Sequence, residues 1–292
     1  MNPQHISSPD DLVTTHEATR QGFLEQAFAK TEKAEAYLED AILLKEALDE
    51  VLHVGSLIEM HPIRDHLMAA AGFSTKAQSH LSDAELDESL GRVLTSIAEK
   101  ASDGWRDEIL YRYLLTKGDS LGGSMRNLTG AMAGEQLIKA ILVPLHQQGA
   151  EPAISRSATG KIQSISWDER VLLFDKKPRF INKSVDVILL HASGSAGPPI
   201  NSPDSFLACG ELKGGIDPAG ADEHWKTAKS ALDRIRTAFE DTPPSLFFVA
   251  AAIQAAMAVE IFEQLETGAL GHAANLTSPT QLSDLASWLV SL

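Results

Sequence analysis

Ten residues constrain this chain more than any others: Phe206-Leu207-Ala208-Cys209-Gly210-Glu211-Leu212-Lys213-Gly214-Gly215. An apolar run suited only to a buried strand ends in a carboxylate and an ammonium two residues apart, and a glycine pair follows at once. Strand alternation puts Glu211 and Lys213 on one face and Leu212 on the other. Opposite charges at the end of an oily strand point to chemistry rather than packing.

A second strand-like run, Val185-Asp186-Val187-Ile188-Leu189-Leu190, carries one acid, Asp186, near its start. The stretch from Gly194 to Pro203 is rich in Gly, Ser and Pro and reads as a loop, so the two strands can pair as a hairpin and bring Asp186 towards Glu211. Phosphodiester hydrolysis needs such a set. Two carboxylates and the backbone carbonyl of Leu212 are hard oxygen ligands for Mg²⁺. A bound metal acidifies water and neutralises charge on phosphate. Lys213 can orient that water or stabilise the pentavalent transition state.

Asp186, followed 25 positions later by Glu211-Leu212-Lys213, resembles the PD(D/E)xK nuclease motif, with Val185 where the motif's name has Pro. The segment after the lysine, Gly214 through Ala228, resembles the corresponding segment of type II restriction endonucleases of the AvaI/BsoBI group. In that group a histidine follows the lysine by eleven residues, as His224 does here, and lies near the active site. The resemblance covers Ser184 to Ser230 and, less closely, Gly118 to Glu135. It implies Mg²⁺-dependent double-strand cleavage at a short palindromic, GC-containing DNA sequence. Asp186, Glu211, Lys213 and His224 would be the catalytic residues and Asp186, Glu211 and the Leu212 carbonyl the metal ligands. It also implies a homodimer acting on double-stranded DNA and a companion DNA methyltransferase.

The remainder of the chain is compatible with this. Its 292 residues suffice for one large domain or two modest ones, with 43% apolar and 22% charged residues. The amino terminus lacks the features of a signal peptide and no apolar run has the length of a membrane span. One cysteine, Cys209, permits no intrachain disulfide, which fits a reducing cytoplasm. The formal charge of −15 runs against DNA binding. The acids, however, concentrate in the first 110 residues, whereas Arg156, Lys161, Arg170, Lys176, Lys177, Arg179 and Lys183 cluster ahead of Asp186.

In chain order, the opening ten residues read as loose. From Thr15 to Glu50 the spacing of Phe23, Leu24, Ala27, Phe28, Leu38, Ile42, Leu43 and Leu48 predicts one long helix or a helical hairpin, as a bundle helix or dimerisation arm. Ser82-Asp83-Ala84-Glu85 has the form of a capping box. A further helix covers Trp105 to Leu115. Residues 1–115 thus read as a helical region for dimerisation or clasping DNA, and 116–292 as the catalytic core. His53, His61 and His66 are a possible metal cluster or simply surface and packed histidines.

Lys117 to Gly130 reads as a glycine-rich loop entering a helix from Ala131 to Leu145, where free backbone N–H groups can meet phosphate. That makes Ser120, Arg126 and Asn127 candidate DNA contacts, with Lys226 a further one and Glu135 a possible auxiliary acid. Beyond residue 150 strands are expected at 161–167, 171–174, 185–190, 206–212 and 246–251. Helices are expected at 221–240, 260–264 and 282–292, giving a mixed α/β sheet with helices on both faces. Two other functions stay open: a repair or structure-selective nuclease of the same superfamily, and a non-catalytic helical interaction protein in which Glu211 and Lys213 are a structural ion pair.

Overall fold

A computed structural model describes residues 3–158, 160–192, 198–239 and 242–292; of the glycine- and serine-rich loop expected at 194–203, residues 194–197 lie outside the described residues. Helices come first: α1 (His16–Glu50), α2 (Arg64–Ala70), α3 (Thr75–Gln78), α4 (Asp83–Ala101) and α5 (Trp105–Gln147). Next come β1 (Ala153–Arg156), β2 (Ile162–Trp167), β3 (Arg170–Lys176), β4 (Val185–His191) and β5 (Phe206–Lys213). The chain ends with α6 (Ala221–Ala238), β6 (Ser245–Ala250), α7 (Ala255–Glu266), β7 (His272–Asn275) and α8 (Pro279–Ser291). Two compact units result, Glu25–Met125 and the pair of segments Met1–Leu24 and Arg126–Leu292. Their divisions fall inside α1 and α5.

The sheet runs β1-β2-β3-β4-β5-β6-β7 in sequence order, antiparallel through β5 and parallel from β5 to β7. Parallel pairing needs a crossover, and α6 and α7 supply one each. One face packs against Trp225, Ala228, Leu232 and Ile235 of α6 with Met257 and Ile261 of α7. The other packs against Leu137, Ile138, Ile141 and Leu145 of α5 with Leu285 and Leu289 of α8. By length and composition one stretch of α4 and α5 is apolar enough to cross a membrane. Leu137, Ile138, Ile141 and Leu145 of that helix, however, are sunk in the sheet's core.

The structure corrects several expectations. The opening segment is not loose: Ile6 and Leu12 are buried in the α6-side core. The reason is a set of hydrogen bonds to β7 and α8. Asn275 Nδ2 donates to the Leu12 carbonyl and to Thr14 Oγ1 at 2.9 and 2.8 Å, and Gln281 Nε2 donates to the Asp11 carbonyl at 2.6 Å.

In α1, most of the apolar residues counted on are exposed: Phe28 is 72% accessible, with Phe23, Leu24, Leu38, Ile42 and Leu43 also in solvent. The core of the 25–125 unit takes the expected Leu48 from this helix and, in place of the others, Ala41, Leu44 and Ala47, against Leu90 and Leu94 of α4 and Ile109 and Tyr113 of α5. The Ser82–Glu85 capping box does start α4, with the Ser82 and Glu85 side chains each bonded to the other's backbone N–H.

The glycine-rich loop does not exist. Residues 118–130 lie inside α5, so their N–H groups are consumed by the helix rather than free for phosphate. Glycine costs a helix interior about 1 kcal/mol, a penalty that the continuous helix absorbs here.

Because Asn275 is 2% exposed and satisfies backbone groups on two segments, Asn275→Ala leaves a buried carbonyl without its donor. The expected cost is about 2–4 kcal/mol in urea unfolding; a change below about 0.5 kcal/mol would show that the N-terminal segment is held some other way.

Candidate active site

Antiparallel pairing of β4 with β5 carries the hairpin predicted between the two charged strands, with Val187 opposite Gly210 and Leu189 opposite Ala208. Asp186 shares its strand parity with Ile188 and Leu190, and Glu211 with Cys209, all on the α6 side of the sheet. The ladder between the strands stops just short of these acids. In its place the Leu212 N–H donates to Asp186 Oδ2 at 3.0 Å.

Lys213 closes the set. Its Nζ donates to Asp186 Oδ2 at 2.6 Å and to Glu211 Oε2 at 2.8 Å. The three side chains grade inwards, from Asp186 at 28% accessible through Lys213 at 18% to Glu211 at 4%. Burial, reinforced by the neighbouring Asp186 carboxylate, pushes the Glu211 carboxyl up to about 7. Burial opposes the charge on Lys213 as well, but Glu211 and then Asp186 outweigh it and hold the amine above its usual range. Lys213 is therefore an ammonium at neutral pH, a donor and not a base.

The donor set suits a hard cation. Two carboxylates converge on one point, and the backbone of Leu212 aims at the same side: its N–H meets Asp186, and within one strand residue N–H and C=O point the same way. The Lys213 carbonyl faces oppositely, accepting from Ala251 N–H at 2.9 Å. Oxygen-only ligands, few in number, match Mg²⁺, which keeps several of its waters. Among the described residues no group of three or more His, Cys, Asp or Glu side chains could hold a metal, so His53, His61 and His66 do not make one. His66 instead stacks edge-on against Tyr113.

The segment after Lys213 is held by close approaches. A Cβ on Gly214 would stand 2.3 Å from the Thr129 carbonyl oxygen of α5, so the helix backbone lies directly on this glycine. Ile216 is pinned from the other side, 2.5 Å from where a Cβ on Gly22 of α1 would be. His224, exposed in the first turn of α6, rests its Nε2 against Gly215 and Gly220, 3.5 Å from where a Cβ on either glycine would stand. It thus adjoins the loop that follows the lysine.

The remaining candidates lie elsewhere. Glu135 pairs with Arg156 rather than with the acids of the triad. Lys226 pairs with Asp222 one turn away at 2.5 Å. Ser120 bonds back to the Thr116 carbonyl within α5, and Asn127 is exposed on the same helix, while the side chain of Arg126 lies outside the described residues. Lys117, which begins the glycine-rich stretch, sits over the rings of Tyr37 and Tyr113. Sequence reasoning missed the contribution of Thr129 and Gly22. Glycine 22 inside a helical pattern was the available signal.

The whole chain, residues 2–292, matches the family model described as restriction endonuclease BsobI. The type II restriction enzyme AvaI of Nostoc sp. is 37% identical over 310 residues, covering 99% of this chain and 98% of that one. The type II restriction enzyme BsoBI of Geobacillus stearothermophilus is 36% identical over 314 residues, covering 99% and 97% respectively.

The raised carboxyl of Glu211 sets a pH dependence. Its folded value near 7 exceeds the ordinary 4.5, so folding favours the protonated form. The cost of folding with a charged Glu211 therefore grows from pH 4.5 to about 7 and is constant above. In chelator-treated protein, Glu211→Gln should be more stable than wild type by up to about 3 kcal/mol at pH 8. The gap should close towards pH 4.5. A gap that widens in acid would overturn the assignment. Gly214→Ala should destabilise at all pH values.

Proposed function

The chain belongs to the BsobI restriction endonuclease family, and on that premise we propose that it is a type II restriction endonuclease making Mg²⁺-dependent double-strand cuts at a short palindromic, GC-containing DNA sequence. The observation that carries the reading is the convergence of Asp186 and Glu211 on a single ammonium, Lys213, at the end of a buried strand. A purely structural ion pair would gain little in that position, because desolvating three charged groups offsets their attraction.

Asp186, Glu211 and the Leu212 carbonyl would hold Mg²⁺, which when bound supplies Lewis acidity and neutralises charge on the phosphate. The protein's own groups do the rest. Lys213, held cationic by its two acids, donates to the attacking water or to a non-bridging phosphate oxygen, where negative charge builds in the transition state. In-line attack at phosphorus then breaks the P–O3′ bond. Thr129 and Gly22 fix the loop after Lys213, and His224 buttresses it from α6, where it would meet a phosphate or take a proton from the attacking water.

A palindromic site calls for two copies of the chain, one active site per strand. The exposed Phe28, Leu38 and Ile42 of α1 and the exposed Tyr111 and Leu115 of α5 supply apolar surface for such a homodimer. The same reading places the enzyme in the cytoplasm beside a companion DNA methyltransferase.

Digestion of an unmethylated phage genome, with and without Mg²⁺, tests the proposal. Discrete fragments are expected from the wild-type chain, and Lys213→Ala should slow their appearance by at least about 100-fold while remaining folded. A smear would point to a non-specific or structure-selective nuclease, and no cleavage by a folded wild-type protein would sink the enzymatic reading.

A further inference from the structure

In a chain of formal charge −15, most of the cations in β1 to β5 and their connections lie at the sheet end that holds Asp186, Arg170 standing at the other end opposite His191. The strand pairings define that end: Arg156 of β1 lies opposite Ile162 of β2, Lys176 of β3 opposite Val185 of β4, and the ladder of β4 with β5 runs out beyond Val187 and Gly210. Arg156, Lys161, Lys176, Lys177 and Lys183 therefore sit at the same ends of β1 to β4 as Asp186, with Lys213 next on β5. Strands lie about 4.8 Å apart, so β2 to β5 spans roughly 14 Å, the rise of about four nucleotides along one DNA strand.

These cations are not equivalent. Arg156 is engaged by Glu135, and Lys161 by Asp175 at 2.7 Å. Lys176, Lys177 and Lys183 make no ion pair among the described residues, and Lys177 and Lys183 are exposed. Arg179, the other cation of the β3–β4 connection, is carried away. Phe180 packs edge-on against Phe206 and Phe239, with ring centroids 5.3 and 5.1 Å apart. The Arg179 N–H donates to Asn201 Oδ1 at 3.0 Å. Phe206 begins β5, at the opposite end from Lys213, so the connection folds back across the sheet and leaves only its two stems beside the acids.

We propose that Lys176, Lys177 and Lys183 are positioning residues that bind the DNA backbone next to the scissile phosphate, on the β3 side of Asp186. Cations without carboxylate partners bind phosphate without first losing an ion pair. They also offset the repulsion that Asp186 and Glu211 exert on DNA. The inference rests on the DNA-cleaving reading above and assigns the side of the site from which the backbone approaches.

The test is the salt dependence of binding to a fluorescent mixed-sequence duplex in chelator, for wild type, the triple variant Lys176→Ala/Lys177→Ala/Lys183→Ala, and Arg179→Ala, each checked for folding by circular dichroism. The slope of log affinity against log salt should fall by about 0.9 for each phosphate that the triple variant no longer neutralises and stay at the wild-type value in Arg179→Ala. A triple variant with the wild-type slope and affinity overturns the proposal while leaving the nuclease reading intact. An equal loss in Arg179→Ala overturns the assigned side. Wild-type protein that binds no DNA fails the nuclease reading itself, and the proposal with it.

Discussion

The sheet of this chain is arranged around one ammonium held between two carboxylates. Lys213 bonds Asp186 and Glu211 at 2.6 and 2.8 Å in a place where water is largely excluded. Such a triad cannot sit in the middle of a sheet, where ladder partners crowd both sides. It sits where β4 and β5 part, so that a carboxylate can take the place of a strand and accept the Leu212 N–H. The same parting leaves the Leu212 carbonyl turned towards the acids. Strand pairing, side-chain charge and backbone donors are thus one geometry.

That geometry was legible because its signal is local. An apolar strand with Glu211 and Lys213 two apart, and a second strand with Asp186 at its mouth, fix face and register by alternation alone. Other elements announced themselves less. All four residues of β1 are exposed, so it has no apolar period to read. β7 is buried but contains His272 and Asn275, and Asn275 is comfortable there because of hydrogen bonds to a distant segment, such as that to Leu12. No single-strand pattern encodes a partner more than two hundred residues away. The glycines of 118–130 misled in the opposite direction. Their local preference for a turn lost to the continuity of a helix anchored at both ends by burial, from Ile109 and Tyr113 to Ile141 and Leu145.

The long helices show the limit of periodicity in another way. In α1 the apolar residues do recur at helical spacing, yet Phe28, Leu38 and Ile42 face solvent while Ala41 and Ala47 are buried. Spacing identifies a helix, but which stripe it buries depends on what packs against it.

The approach of Gly22 to Ile216 makes the start of α1 part of the candidate site's architecture rather than a preface to it. Gly22 lies against Ile216 in the loop that carries Gly214 and Gly215, a loop that follows a strand made far later in the chain. During synthesis the start of α1 emerges first and waits for the residues it will support. The site is completed only when the two ends of the chain have met, so an active enzyme is a report that the whole catalytic unit has folded.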